Sequence, residues 1–551
     1  MKLHSLLLTM SCAGLVCAER MPRIFCSDLE NGPASGGEGG NGAFVTLYGA
    51  NFGADRGSST VTLNGAPIAA YRVWKDSKIT IQIGPKASTG NFVVKTAAGE
   101  SNPVPFTVRP GKILFVANNG NNGNSGRFNA PWKTIQHAVD KMEPGDVTYV
   151  MNGVVETRPG SSDSSVTIRT SGKSGMPLAL VAYPGAVAGV GTTGSGTCYS
   201  TDCIEGIVTA KNGQGYSYWV IAGLTLRGNN NALAIVGGHG EQCMHWRVVG
   251  NDMTCPYGDG QGACFDTSNA SHIALYANNV HHAGQPGAKM QEYYQGVYFS
   301  TDSNHIDMAW NTVSHVAGCR AVQIHSSRLG NGGPQDPTGQ PQYDIRIRDN
   351  IIHDSACDGI VLATIDPSKG KIEVYNNVIY RTGAGPRPRS GSGNFSCIFA
   401  PGTTYPLRQP GGGVVEIYNN TMFDCGAVKN PRNSNAVQNG GANPNLRLRL
   451  RNNIIVQPPG QTYIDADGPM EGSHNLFAGN GSTPRAPKLG LTNSLNVNPE
   501  FLDPSKFDFR LSATSPARGK GAETGIQIDL QGCGRDAGQP LSIGALQCPP
   551  K

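Results

Sequence analysis

The chain has 551 residues, with 74 Gly, 36 Pro and only 15% charged residues, a composition that disfavours helical bundles and favours a turn-rich, all-β protein. Its formal charge of +5 is too small a basic excess to argue for nucleic acid, yet it suits a polyanionic substrate. The length exceeds what one ordinary core supports, so two domains are expected unless an elongated repeat escapes that limit.

Residues 1–18 (MKLHSLLLTMSCAGLVCA) join a Lys, an apolar run and the small-residue ending Val16-Cys17-Ala18, the pattern of a secretory signal peptide. No later stretch approaches the length of a membrane span. The mature chain is therefore expected to be exported, extracellular or periplasmic, without membrane insertion, and a monomer. Of 14 Cys, two fall in the leader, and the even remainder fits several disulfides in an oxidising compartment. Cys198 with Cys203 and Cys533 with Cys548 are the easiest local pairs.

Residues 19–109 alternate short strands with glycine turns, as a small β-sandwich does. The run VTLYGANFG, then VTLNG, then GNFVVKTAAGESNPVPFTV resembles the immunoglobulin-like IPT/TIG domain. That resemblance implies a spacing or binding module with no catalytic residue.

Next, the strand ILFV (113–116) is followed by Ile135, Ala138, Val139 and Met142 at i, i+3, i+4 and i+7, which predicts an amphipathic helix over 134–142. Further on, WRVVGN, IALYAN, IDMAWN, IRIRDN, IEVYNN, VEIYNN and LRLRLRNN each end alternating apolar residues on an Asn: Asn251, Asn278, Asn311, Asn350, Asn377, Asn420 and Asn453. A fixed strand-and-turn unit on a variable spacing of 27 to 43 residues predicts coils stacked on coils, with each strand pairing to its counterpart above and below. The Asn residues are expected at left-handed turns, forming an amide ladder without chemistry. The helix would cover the open end of the stack.

The block ILFVANNGNNG…APWKTIQHAVDKMEPGDVTYVMNG resembles the N-terminal cap of pectate-lyase-like proteins, and DFRLSATSPARGKGA with IGALQ resembles their closing segment. The resemblance implies a right-handed parallel β-helix over 110–551. It does not fix activity, because that superfamily holds lyases, hydrolases, epimerases and adhesins.

A second set of strands runs beside the ladder: GACFDTSN, QGVYFSTD, CRAVQIHSS and CDGIVLATI. Stacked, they put Cys264, Val297, Val322 and Ile360 inward, and Phe265, Tyr298, Gln323 and Val361 outward. Thr267, Ser300, His325 and Ala363 follow two residues on. Cys319 and Cys357 also align, as a disulfide or a simple stack. Insertions at 281–294 and 326–342 flank this sheet as walls of a groove for an extended polymer.

Within the groove the candidate catalytic residues are His325, Arg320, Tyr298, Lys289, Asp358 and Asp302, and the candidate substrate-binding residues are Gln323, Glu292 and Asp266. Each has a plain alternative: Tyr298 can cover the sheet, Arg320 and Asp358 can form a cross-coil ion pair, and Lys289 and Glu292 can be solvated loop residues. A glycosidase needs two carboxyl groups about 5 to 9.5 Å apart, from Asp302 with Asp358 or with Asp266. A lyase on a uronate polymer needs a cation to neutralise the carboxylate and a Lys, His, Tyr or Arg to move the neighbouring proton. The gathered residue types favour the lyase, with Ca2+ as the one candidate cofactor. An adhesin that binds an extracellular polysaccharide without cutting it is the third reading.

Overall fold

The computed structural model describes residues 20–548, apart from 158–163, 194–204, 211, 239–240, 261, 289–290, 327–340, 387, 389–393, 403–410, 428–433, 482–489 and 536–540. The expected signal peptide, the Cys198/Cys203 pair, Lys289 and most of the 326–342 wall lie outside the described residues.

From Ile113 to Asn496 the chain visits three sheets in turn, and neighbouring strands within each sheet pair in parallel one coil apart; beyond them Phe501–Asp503 and Asp508–Leu511 form a small antiparallel pair. The first sheet has 13 strands, the second 12 and the third 10. This is a parallel β-helix. Its interior is one apolar column running from Leu114 and Trp132 to Phe477.

The ladder extends through eight amides, because Asn475 follows Asn453. Each Asn Nδ2 donates to the next Asn Oδ1 at 3.0 Å, and each backbone N–H donates to that same oxygen. The ladder Asn residues are not the left-handed ones. That conformation belongs to the residue before them: Ala277, Trp310, Asp349, Asn376, Asn419, Asn452 and His474, with φ between 54° and 57°. The preceding residue makes the corner, and the Asn turns inward, where its amide replaces backbone hydrogen bonds lost at that corner.

The helix spans Ile135–Lys141, capped by Thr134, whose side chain accepts from the His137 amide. Gln136 accepts from the Thr167 amide and donates to its carbonyl, at 2.7 and 3.0 Å. One side-chain amide thus occupies the open edge of Ser164–Ile168, the first strand of the third sheet.

The N-terminal module is a two-sheet sandwich: Arg23–Ser27, Phe44–Ala50, Lys78–Gln82 and Ala70–Lys75 form one sheet, and strands between Asn31 and Val108 form the other. Its core continues into the outer face of the first sheet through Phe115, Tyr149, Val181, Val220 and Val249. The Tyr149 hydroxyl donates to the Phe44 carbonyl and accepts from its amide, both at 2.8 Å.

The segments 507–535 and 541–546 lie along the second sheet, with Phe509, Ala545 and Leu546 on Val378. The early coils of the first sheet are therefore covered by the N-terminal module, and the later coils of the second by the C-terminal segment. The third is flanked by loops. Among the described residues four disulfides, Cys255–Cys264, Cys319–Cys357, Cys397–Cys425 and Cys533–Cys548, brace the fold. No described helix is long and apolar enough to cross a membrane.

Candidate functional site

The outer face of the third sheet carries one column in register: Asp266, Tyr298, Gln323, Val361, Phe399, Gln438 and Asp465. This corrects the expected alignment of 262–269 by one residue. Phe265, not Cys264, pairs with Val297 and faces the core, so Asp266 stands beside Tyr298 on the groove face. Both Cys264 and Phe265 are fully buried, so hydrophobicity alone could not choose between the registers, and a slip of one exchanges every side chain between faces.

Ser300 pairs with His325 across the next rung. The Tyr298 side chain leans toward that rung, bringing its hydroxyl to 3.0 Å from His325 Nδ1, with the rings stacked at 6.5 Å. Burial holds the imidazole pKa down at about 4, with the nearby Arg320 charge acting in the same direction. The ring is therefore neutral at pH 7 and shares a hydrogen bond with the phenol.

Arg320 precedes the strand Val322–His325. Its Nη1 donates to the Glu292 carbonyl and to Gln323 Oε1, both at 3.0 Å, and its Nε lies 3.8 Å from Asp358 Oδ2. Among the described residues Nη2 has no hydrogen-bond partner. Gln323 thus binds the arginine as well as standing next to Tyr298.

Asp358 is 0% exposed and takes a hydrogen bond from the Ser396 amide at 2.8 Å. Desolvation raises its pKa to about 6 despite the opposing Arg320 charge. It lies beneath the groove face, where it steadies Arg320 and is shielded from a polymer. Glu292 is likewise buried, and it acts on the site through its carbonyl. Neither carboxylate stands in the groove as expected.

Asp302 sits at a left-handed turn (φ 54°) at the rim, with its amide donating to Ser326 Oγ at 3.0 Å. The wall before Tyr294 is tied down by Gln291, whose amide donates to the carbonyls of Ala317 and Pro386 at 2.9 and 3.2 Å. Phe399, half-exposed two rungs beyond Gln323, was missed in the sequence. Its signal was the run SCIFA, in phase with DGIVLA. The described clusters of three or more ligating side chains lie outside the groove, so the Ca2+ expectation finds no described ligand set there.

Residues 30–108 match the IPT/TIG domain. No curated protein matches the chain. Among solved structures, a pectate lyase, Pel9A, is similar with a TM-score of 0.49 and 15% identity, covering 79% of this chain and 96% of its own. A rhamnogalacturonan lyase gives 0.40 and 13%, covering 71% and 90%. A structure titled glycoside hydrolase gives 0.43 and 8%, covering 69% and 96%. The assignment of a parallel β-helix rests on the three sheets described above.

Proposed function

We propose that the protein is an exported carbohydrate-active enzyme that cleaves an extracellular polysaccharide in the third-sheet groove, by β-elimination at a uronate residue. One observation carries this reading: a phenol and a neutral imidazole 3.0 Å apart, beside the Arg320 guanidinium, on an outer face that neither terminal segment covers. Elimination needs the substrate carboxylate neutralised, the adjacent carbon-bound proton removed and the leaving oxygen protonated. Arg320 serves the first step. The proton passes to the His325/Tyr298 pair, a carbon–carbon double bond forms, and the glycosidic oxygen departs with a proton from that pair. The four disulfides among the described residues support an oxidising, extracytoplasmic location.

A glycoside hydrolase is the second reading, favoured by Asp266 beside Tyr298 and Asp302 at the rim. Incubation with uronate and neutral polysaccharides, with and without a chelator, separates the two. Elimination yields an unsaturated sugar that absorbs in the ultraviolet, whereas hydrolysis yields new reducing ends without that absorbance. Binding without either product would support the adhesin.

A further inference from the structure

Two side-by-side columns run along the outer side of the second sheet. At its left-handed corners stand His282, His315, Asp354, Arg381 and Asp424, with φ between 50° and 54°, a conformation in which His and Asp are enriched. In the neighbouring column His281, Ser314, His353 and Tyr380 are in register. The offset gathers three donor atoms from two consecutive coils. His353 Nδ1 lies 2.7 Å and His315 Nε2 4.0 Å from the same Asp354 carboxylate oxygen, and the three atoms lie within 4.8 Å of one another.

We infer that His315, His353 and Asp354 form a binding site for a divalent transition metal of the Zn2+, Ni2+ or Cu2+ class. Bonds of about 2.0 to 2.2 Å in a tetrahedral site put donor atoms roughly 3.3 Å apart, between the two separations seen here. Two imidazoles with one carboxylate suit these metals rather than Ca2+ or Mg2+.

Both rings are held in place beforehand. His282 stacks on His315 at 4.9 Å and 2°, and Tyr380 stacks on His353 at 4.7 Å and 5°. Arg381 Nε lies 3.1 Å from the other Asp354 oxygen, leaving Oδ2 to the imidazoles while its charge weakens cation affinity, and a bound metal replaces the hydrogen bond that Oδ2 shares with His353 Nδ1. Among the described residues the His315 imidazole makes no hydrogen bond. It is half exposed, leaving a coordination position open to solvent.

The other described cluster, Asp529 with Cys533 and Cys548, differs in kind. Its cysteines are bonded to each other, and its carboxylate accepts from the amides of Gln531, Cys533, Gln547 and Cys548.

The inference is independent of the polysaccharide reading. Tag-free full-length protein, stripped with a chelator, is titrated with Zn2+ against a chromophoric competitor, and with Co2+ to read ligand-field absorption. One equivalent is expected to bind. His315→Ala and His353→Ala should each weaken it by more than about tenfold, since even outer-shell changes at metal sites cost that much. His272→Ala, on the first sheet, should leave it unchanged, and circular dichroism should report intact folding throughout. Equal affinity in both site variants, absence of the equivalent, or loss on His281→Ala in place of His315→Ala would overturn the site.

Discussion

His325 and Asp358 titrate in opposite senses over nearly the same pH range. The folded imidazole binds its proton less tightly than the unfolded one, at about 4 against 6.5, so its share of stability is lost as pH falls from about 6.5 toward 4. The folded Asp358 carboxyl binds its proton more tightly, at about 6 against 3.8, so its share is lost as pH rises from about 4 to 6. Each amounts to roughly 3 kcal/mol at the rate of about 1.4 kcal/mol per pKa unit, and in the wild type the two largely cancel. Relative to wild type, Asp358→Asn should therefore gain roughly 3 kcal/mol between pH 4 and pH 7. Denaturant titration at both pH values measures this, and a pH-independent difference contradicts it. Activity should follow His325: the acid limb of kcat/KM belongs near pH 4, and a limb at 6.5 would place another group in charge. The residue types at this site were legible in the sequence. Their depth was not, because an Asp after a Cys in a turn reads the same whether it faces solvent or lies beneath an arginine.

At the scale of elements, the Asn ladder and the helical cap were legible because each repeats or obeys a fixed period. Asn475 escaped because its strand, Met470–Ser473, offers one apolar residue and a glycine whose added Cβ would lie 1.8 Å from the Leu450 carbonyl oxygen. Asn311→Ala in mid-ladder removes the donors to Leu275, Ala309 and Asn350 and strands those of Asn278. With buried groups left unpaired at about 1 to 3 kcal/mol each, a loss of roughly 3 kcal/mol or more is expected in thermal or denaturant unfolding. His305→Ala, at an exterior corner, should change stability by less than about 0.5 kcal/mol. Equal effects would mean that the amide column is not what holds the coils.

For the whole molecule, the docking of the N-terminal module had a sequence signal that alternation alone does not read. The first-sheet strands ILFV, VTYV, LALVA and WVIA are apolar at nearly every position, the mark of a strand buried on both faces. Removal of residues 20–109 should expose Phe115, Tyr149, Val181 and Val220 as one apolar patch and give a protein that aggregates or binds hydrophobic dyes. A soluble β-helix with unchanged melting would contradict an integral interface. The module thus occupies part of one sheet and the C-terminal segment part of another, and the third is left for a ligand.

The most direct test of that assignment is the turnover of His325→Ala and Tyr298→Phe on whichever polysaccharide the wild type cleaves, with melting followed in parallel. Both side chains lie outside the apolar column, so folding should persist while kcat falls by about a hundredfold or more in each. Near-normal turnover in both variants, at unchanged stability, would contradict a reaction centred on this pair.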